Sequence, residues 1–201
     1  MALSLLVAAG CSAPSTGDRK KIIPTYSPKT GKLTRLEYSS QGNGKIDTWA
    51  YMDGTKVLRI EISTHDDGKV DRWEYYGPAQ SLTEVAISRA NNGKPDEWMY
   101  EGPDHLVSRI ELSTHHDGKV DRWEYYKGGL LTRVELDTNG DGHPDQWETY
   151  KDGRITSIEF DTKHTGKPDR RLLYAADGTV TVEVDPSGTG QWQPVKAVRG
   201  H

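Results

Sequence analysis

The chain has one cysteine, Cys11, one phenylalanine and three methionines in 201 residues. A lone thiol forms no internal disulfide, so no covalent staple substitutes for packing. Hydrophobic residues make up 33% of the sequence and the mean hydropathy is -0.79, which excludes a thick core covered on both sides and favours a thin or one-sided one. No apolar run approaches the ~20 residues that cross a bilayer as a helix. Neither sign of charge dominates: 26 Lys and Arg stand against 30 Asp and Glu, a net charge of -4. A nucleic-acid binder would show a basic stripe, so no nucleic-acid partner is expected. Catalytic motifs are also lacking. There is no G-x-S-x-G elbow, no phosphate-cradling glycine loop before a helix and no H-E-x-x-H. The chain is therefore expected not to be an enzyme, and Glu74, Glu124 and Glu148 are read as partners of neighbouring arginines rather than a glycosidase pair.

What the chain does have is a repeat. A glycine recurs as Gly44, Gly68, Gly93, Gly118, Gly142 and Gly166, with a worn copy at Gly190. Three residues after it stands Asp47, Asp71, Asp96, Asp121, Asp145 or Asp169. Two further on comes Trp49, Trp73, Trp98, Trp123 or Trp147, with Arg171 breaking the series. A period of this length means tandem supersecondary units. Low hydropathy alone would permit disorder. Six Trp and ten Tyr, most of them in register, argue instead for packed structure.

Within each unit the pattern has period two, which is a strand signal. Thr132, Val134 and Leu136 point one way and Leu131, Arg133 and Glu135 the other. The tryptophan strand alternates likewise, Asp71, Trp73 and Tyr75 against Arg72, Glu74 and Tyr76. Asp53-Gly54 and Asp152-Gly153 are hairpin turns. The reading is all-β: an antiparallel meander of tandem two-stranded repeats. One face is expected to stack Trp, Tyr, Ile and Val, the other to carry Arg and Glu. Because so large an apolar face cannot stay in water, the sheet is expected to curve strongly or wrap like a barrel; a parallel solenoid is the alternative. Arg59 to Tyr76 and Arg109 to Tyr126 differ at only two positions, Ile62 against Leu112 and Asp66 against His116, which suggests duplication of a two-unit block. The repeat domain is placed at 31–195, with a tail at 196–201.

The fifth loop carries the candidate metal site. Asp137, Asn139, Asp141, His143, Asp145 and Glu148 occupy the ligand positions of D-x-[DN]-x-[DN]-G-x5-E, the EF-hand calcium loop, with Gly142 at the sharp turn. Alternate side chains of a tight loop converge oxygens on one hard cation, so one Ca2+ is the expected cofactor. The flanks alternate as strands, unlike an EF-hand, and the loop resembles instead the DxDxDG loops of extracellular calcium repeats. Other copies lack the full oxygen set, which gives the recurrent aspartate a second reading as a loop cap accepting backbone N-H bonds.

MALSLLVAAG before Cys11, followed by the polar tract SAPSTGDRKK, resembles the end of a bacterial lipoprotein signal peptide. Residues 1–10 are then a signal peptide, Cys11 the lipidated residue, and 11–30 a flexible tether. By that resemblance Ser12 favours the outer membrane, facing the periplasm. The chain also resembles, loosely, MORN-like hairpin repeats and repeat lipoproteins, which implies a protein partner in the envelope. The aromatic pattern Trp73, Tyr75, Tyr76 and Trp123, Tyr125, Tyr126 looks like choline- and cell-wall-binding hairpins, which implies a glycan ligand as the alternative.

Overall fold

The computed structural model describes residues 22–195. Cys11, the signal peptide and the tail at 196–201 lie outside them. The strands are β1 (Ile22–Tyr26), β2 (Leu33–Tyr38), β3 (Thr48–Asp53), β4 (Lys56–Ile62), β5 (Arg72–Tyr76), β6 (Leu82–Ile87), β7 (Glu97–Glu101) and β8 (Val107–Leu112), followed by β9 (Arg122–Lys127), β10 (Leu130–Leu136), β11 (Gln146–Lys151), β12 (Arg154–Phe160), β13 (Arg170–Tyr174), β14 (Val180–Val184) and β15 (Gln193–Pro194). They form one antiparallel sheet in sequence order, so the meander is as expected. The solenoid is excluded. The sheet takes in Ile22–Tyr26, which the sequence reading assigned to the tether.

The sheet is open, and among the described residues each strand contacts only its neighbours in sequence. It is a single layer with no second layer on either face. Of the two forms expected, a strongly curved sheet or a barrel-like wrap, the sheet does not take the closed one, and the pairing register explains why no closure is needed. Directly opposed residues of an antiparallel pair share a face. Trp73 lies opposite Glu61 and Ala86, Trp123 opposite Glu111 and Glu135, and Tyr75 opposite Arg59. The tryptophans therefore share a face with the Arg and Glu of the intervening strands. On the other face Ile60, Glu74, Val85, Met99, Ile110, Glu124, Val134 and Glu148 form one row. Neither face is wholly apolar, so the division into an aromatic-aliphatic face and a charged face does not hold.

Each face seals itself instead. Long side chains from one strand set lean over short ones from the other, their stems and rings covering apolar atoms while their polar ends stay wet. Val134, between Glu124 and Glu148, is 0% exposed, and Ala86, between Trp73 and Trp98, is 1% exposed.

Two kinds of connection alternate along the chain. One long edge carries tight turns, such as Asp152-Gly153, where φ of 50° and 74° fits the mirror-image hairpin turn that matches strand twist. A register shift precedes these turns, and a hydroxyl at the shift bonds the facing strand: Thr83 and Thr132 Oγ1 donate to the carbonyls of Tyr75 and Tyr125. The other long edge carries the glycine-aspartate loops.

Candidate functional site

Six nine-residue loops and a shorter seventh stack along that edge, and their first residues are Ser39, Ser63, Ser88, Ser113, Asp137, Asp161 and Asp185. The stacking continues the sheet's hydrogen bonding: Ser63 N-H donates to the Asp47 carbonyl, Asp71 N-H to Ile62, Ser88 N-H to Asp71, and so on to Asp185 N-H on Asp169. Loop positions four and six require a left-handed backbone. In the fifth loop Gly140 and Gly142 supply it, with φ of 77° and 90°. Elsewhere Asp66, Asn91, His116 and His164 accept the fourth position.

The side chains hold the loop closed. At the first position Ser63 Oγ accepts the Gly68 N-H at 3.2 Å and Ser113 Oγ accepts that of Gly118 at 3.1 Å. Asp137 does the same more fully, taking the N-H groups of Gly140 and Gly142, each at 2.7 Å. At the fifth position Asp67, Asp117 and Asp141 each accept the N-H two residues on. The ninth-position aspartates, buried except for the partly buried Asp121, reach back to the loop start. Asp47 accepts the N-H groups of Ser40 and Gln41 and the hydroxyls of Ser40 and Thr48. Asp145 accepts the N-H and hydroxyl of Thr138. Burial alone would raise Asp47, Asp71 and Asp121, but the donors around them outweigh it and hold all three below the ordinary carboxylate value. The capping reading of these aspartates is what the geometry supports.

The six candidate calcium ligands are not all brought together. Asp137, Asn139, Asp141, His143 and Asp145 lie in one loop, where Asn139 Oδ1 accepts the Asp141 N-H at 2.8 Å. Glu148 lies on β11, two residues beyond Gln146, and its carboxylate accepts the Tyr150 hydroxyl at 2.6 Å and the Gln146 amide at 3.0 Å. It is not aimed at the loop, because the strand period carries it to the face of Val134 and Ile158. Among the described residues no group of three or more His, Cys, Asp and Glu side chains is arranged to hold a metal ion. The loop could offer oxygens from Asp137, Asn139 and Asp141, but the closing glutamate of the motif does not fit.

The six candidate aromatic ligands divide between the faces. Trp73, Tyr75, Trp123 and Tyr125 lie with the Arg-Glu ladder, where Tyr125 Oη donates to Glu135 at 3.3 Å. The equivalent Tyr51 and Tyr100 donate to Glu61 and Glu111, each at 3.0 Å, and carry Arg59 and Arg109 over their rings at 4.4 and 4.2 Å. Tyr76 and Tyr126 lie on the opposite face, donating to Glu74 and Glu124 at 2.9 and 2.6 Å. Burial and then these bonds push Tyr76, Tyr126 and Tyr150 up to about 12. Glu74 and Glu124 pair with Arg72 and Arg122 as expected, but the tyrosine hydroxyl that completes each row, Arg72-Glu74-Tyr76 and Arg122-Glu124-Tyr126, escaped the sequence reading. Its signal was the two-residue spacing, which puts three polar groups in one row.

No family model and no curated protein matches the chain. Among solved structures it is similar to a crystal structure of accessory secretory protein 1, 2 and 3 in Streptococcus pneumoniae, at 13% identity and a TM-score of 0.27, covering 70% of this chain and 19% of that one. It is also similar to a crystal structure of TcdB2-TccC3, at 14% identity and a TM-score of 0.24, covering 83% of this chain and 12% of that one. The chain thus spans under a fifth of either structure's length, and likenesses this weak carry no functional argument.

Proposed function

We propose that the chain is a non-enzymatic, lipid-anchored protein of the cell envelope whose repeat sheet is a scaffold presenting an extended surface to a protein partner. The observation that carries this reading is the single layer: fifteen strands in sequence order, none touching any but its neighbours among the described residues. An array built this way offers two broad, self-sealed faces rather than one reactive pocket, as repeat proteins do. Anchoring rests on the apolar run before Cys11, with the outer membrane as the destination. Closure of the loops needs no calcium, because their own side chains take up the loop N-H groups.

The test has two arms in a Gram-negative host. Radiolabelled palmitate should label the protein, and Cys11→Ala should remove the label and move the chain from the membrane to the soluble fraction. A photo-crosslinker at Thr149, exposed on the tryptophan face, should give one discrete protein adduct. Absence of label would remove the anchor, and absence of an adduct from either face would remove the scaffold.

A glycan ligand is the second reading. It is favoured by the row of Trp49, Trp73, Trp98, Trp123 and Trp147 on one face, two strands or about 9.6 Å apart. Binding to isolated cell-wall sacculi that is lost with Trp73→Ala and Trp123→Ala, and kept with Tyr76→Ala, would select it.

A further inference from the structure

The third unit departs from its neighbours at positions the fold does not dictate. After the first loop residue the second, fourth, fifth and sixth loops have Thr64, Thr114, Thr138 and Thr162, whereas the third has Arg89. Where Arg72, Arg122 and Arg170 open their strands, β7 opens with Glu97. The two changes answer each other, since Arg89 Nε donates to Glu97 Oε2 at 2.5 Å.

The result is a cleft of about 350 Å³ between the second and third loops, with Ile87 and Ser88 in its lining and Arg72, Arg89 and His65 around it. Arg72 lies opposite Ile87 in the ladder, and its Nε donates to Glu74 at 2.8 Å. Each guanidinium thus spends its Nε on a glutamate, while its terminal nitrogens have no partner among the described residues. The acidic group in the lining is Asp71, and it is saturated: it accepts the Thr64 N-H and hydroxyl and sits 2.6 Å from His65 Nδ1. A fully bonded, buried carboxylate repels an incoming anion less than a free one. Two guanidinium forks, one partly and one largely exposed at 32% and 61%, remain free to close on an oxyanion from two sides.

The duplicated block supplies an internal comparison. An overlapping cleft between the fourth and fifth loops is lined by His115, Asp117, Lys119, Asp121, Asp137 and Thr138, so it holds a lysine and more carboxylates but no arginine. The second and fourth loops are near-identical in sequence, and only the cleft beside the second has arginines in its lining.

We propose that the cleft between the second and third loops is a binding site for a phosphate monoester, gripped by Arg72 and Arg89. A tetrahedral dianion suits two convergent planar forks better than a single carboxylate does. The site is tested by calorimetry on the full chain carrying Cys11→Ala, with inorganic phosphate, glucose 1-phosphate, acetate, and vesicles containing phosphatidic acid. Saturable binding of inorganic phosphate is expected, with none of acetate. Arg89→Thr and Arg72→Gln should each weaken phosphate binding at least tenfold. Arg72→Gln installs the residue found at the same position as Gln146, whose amide makes the same bond to Glu148, so its melting temperature should not move. Arg89→Thr leaves Glu97, 5% exposed, without its cation, so it is made together with Glu97→Gln, and the double variant should lose phosphate binding to the same extent. Binding of glucose 1-phosphate without vesicles would place the phosphate on a soluble ester, and the reverse would place it on a lipid headgroup. No saturable phosphate binding, or equal binding by the two variants, overturns the proposal.

Discussion

Ser113 and Asp137 hold the same place in successive loops and accept the same hydrogen bond, from Gly118 at 3.1 Å and from Gly142 at 2.7 Å. A hydroxyl and a carboxylate are thus interchangeable at the start of the loop. Asp137→Ser should change stability by less than about 0.5 kcal/mol. Asp137→Ala leaves two loop N-H groups, those of Gly140 and Gly142, without an acceptor and should cost about 1–2 kcal/mol, the usual penalty for losing a cap of this kind. Urea denaturation of both variants, at constant slope, measures the difference.

The same exchange bears on calcium. Four other loops close with serine where the fifth uses Asp137, and Glu148 is occupied by Tyr150 and Gln146 on the strand. Adding calcium to chelator-treated protein should therefore give no saturable heat and no rise in melting temperature. A single site abolished by Asp141→Ala would overturn that expectation and assign the fifth loop to the metal.

The period, the meander and both kinds of turn were legible in the sequence, because Gly142, Asp145 and the Asp152-Gly153 turn act locally. The capping role of Asp145 was visible too, since the aspartate persists where other motif positions vary. The faces were not. Alternation along a strand shows that Trp73 and Glu74 point opposite ways, but whether Trp73 shares a side with Ile60 or with Glu61 depends on register across the Ser63–Asp71 loop. Apolar residues were assigned to one face by affinity, and from that error came the expectation that the sheet must curve strongly or wrap. The site around Arg89 was hidden for another reason: a departure from a repeat looks like wear until Glu97 is seen beside it.

Self-sealing predicts where core mutations hurt. Val134 is 0% exposed although no second layer covers it, whereas Leu130, four residues away on the same strand, is 54% exposed. Val134→Ala should cost about 2 kcal/mol through lost burial and the cavity beneath Glu124 and Glu148. Leu130→Ala should cost less than about 0.5 kcal/mol. Equal effects in denaturant would mean that the glutamate and tyrosine stems do not form a lid.

His115 sits against the ninth-position aspartate of its own loop, with Nδ1 2.7 Å from Asp121 Oδ2. The hydrogen bond to Asp121, and then its charge, raise His115 above the ordinary histidine value. Burial pushes Asp121 up, but the Thr64-equivalent donor Thr114 and His115 hold it below the ordinary aspartate value. A raised histidine contributes stability that is fully present below its unfolded value, about 6.5, and is lost as pH rises through its folded value. A lowered aspartate contributes stability that is present above its unfolded value, about 3.9, and is lost as pH falls through its folded value. The pair should therefore help most between roughly pH 4 and 6.5. In that window the denaturation midpoint of His115→Gln should fall furthest below that of the unchanged chain, the two should converge by about pH 9, and high salt should shrink the gap because the imidazole is solvent-exposed. A midpoint difference that stays constant from pH 5 to pH 9 would mean that the histidine acts by packing and that its charge plays no part in holding the loop.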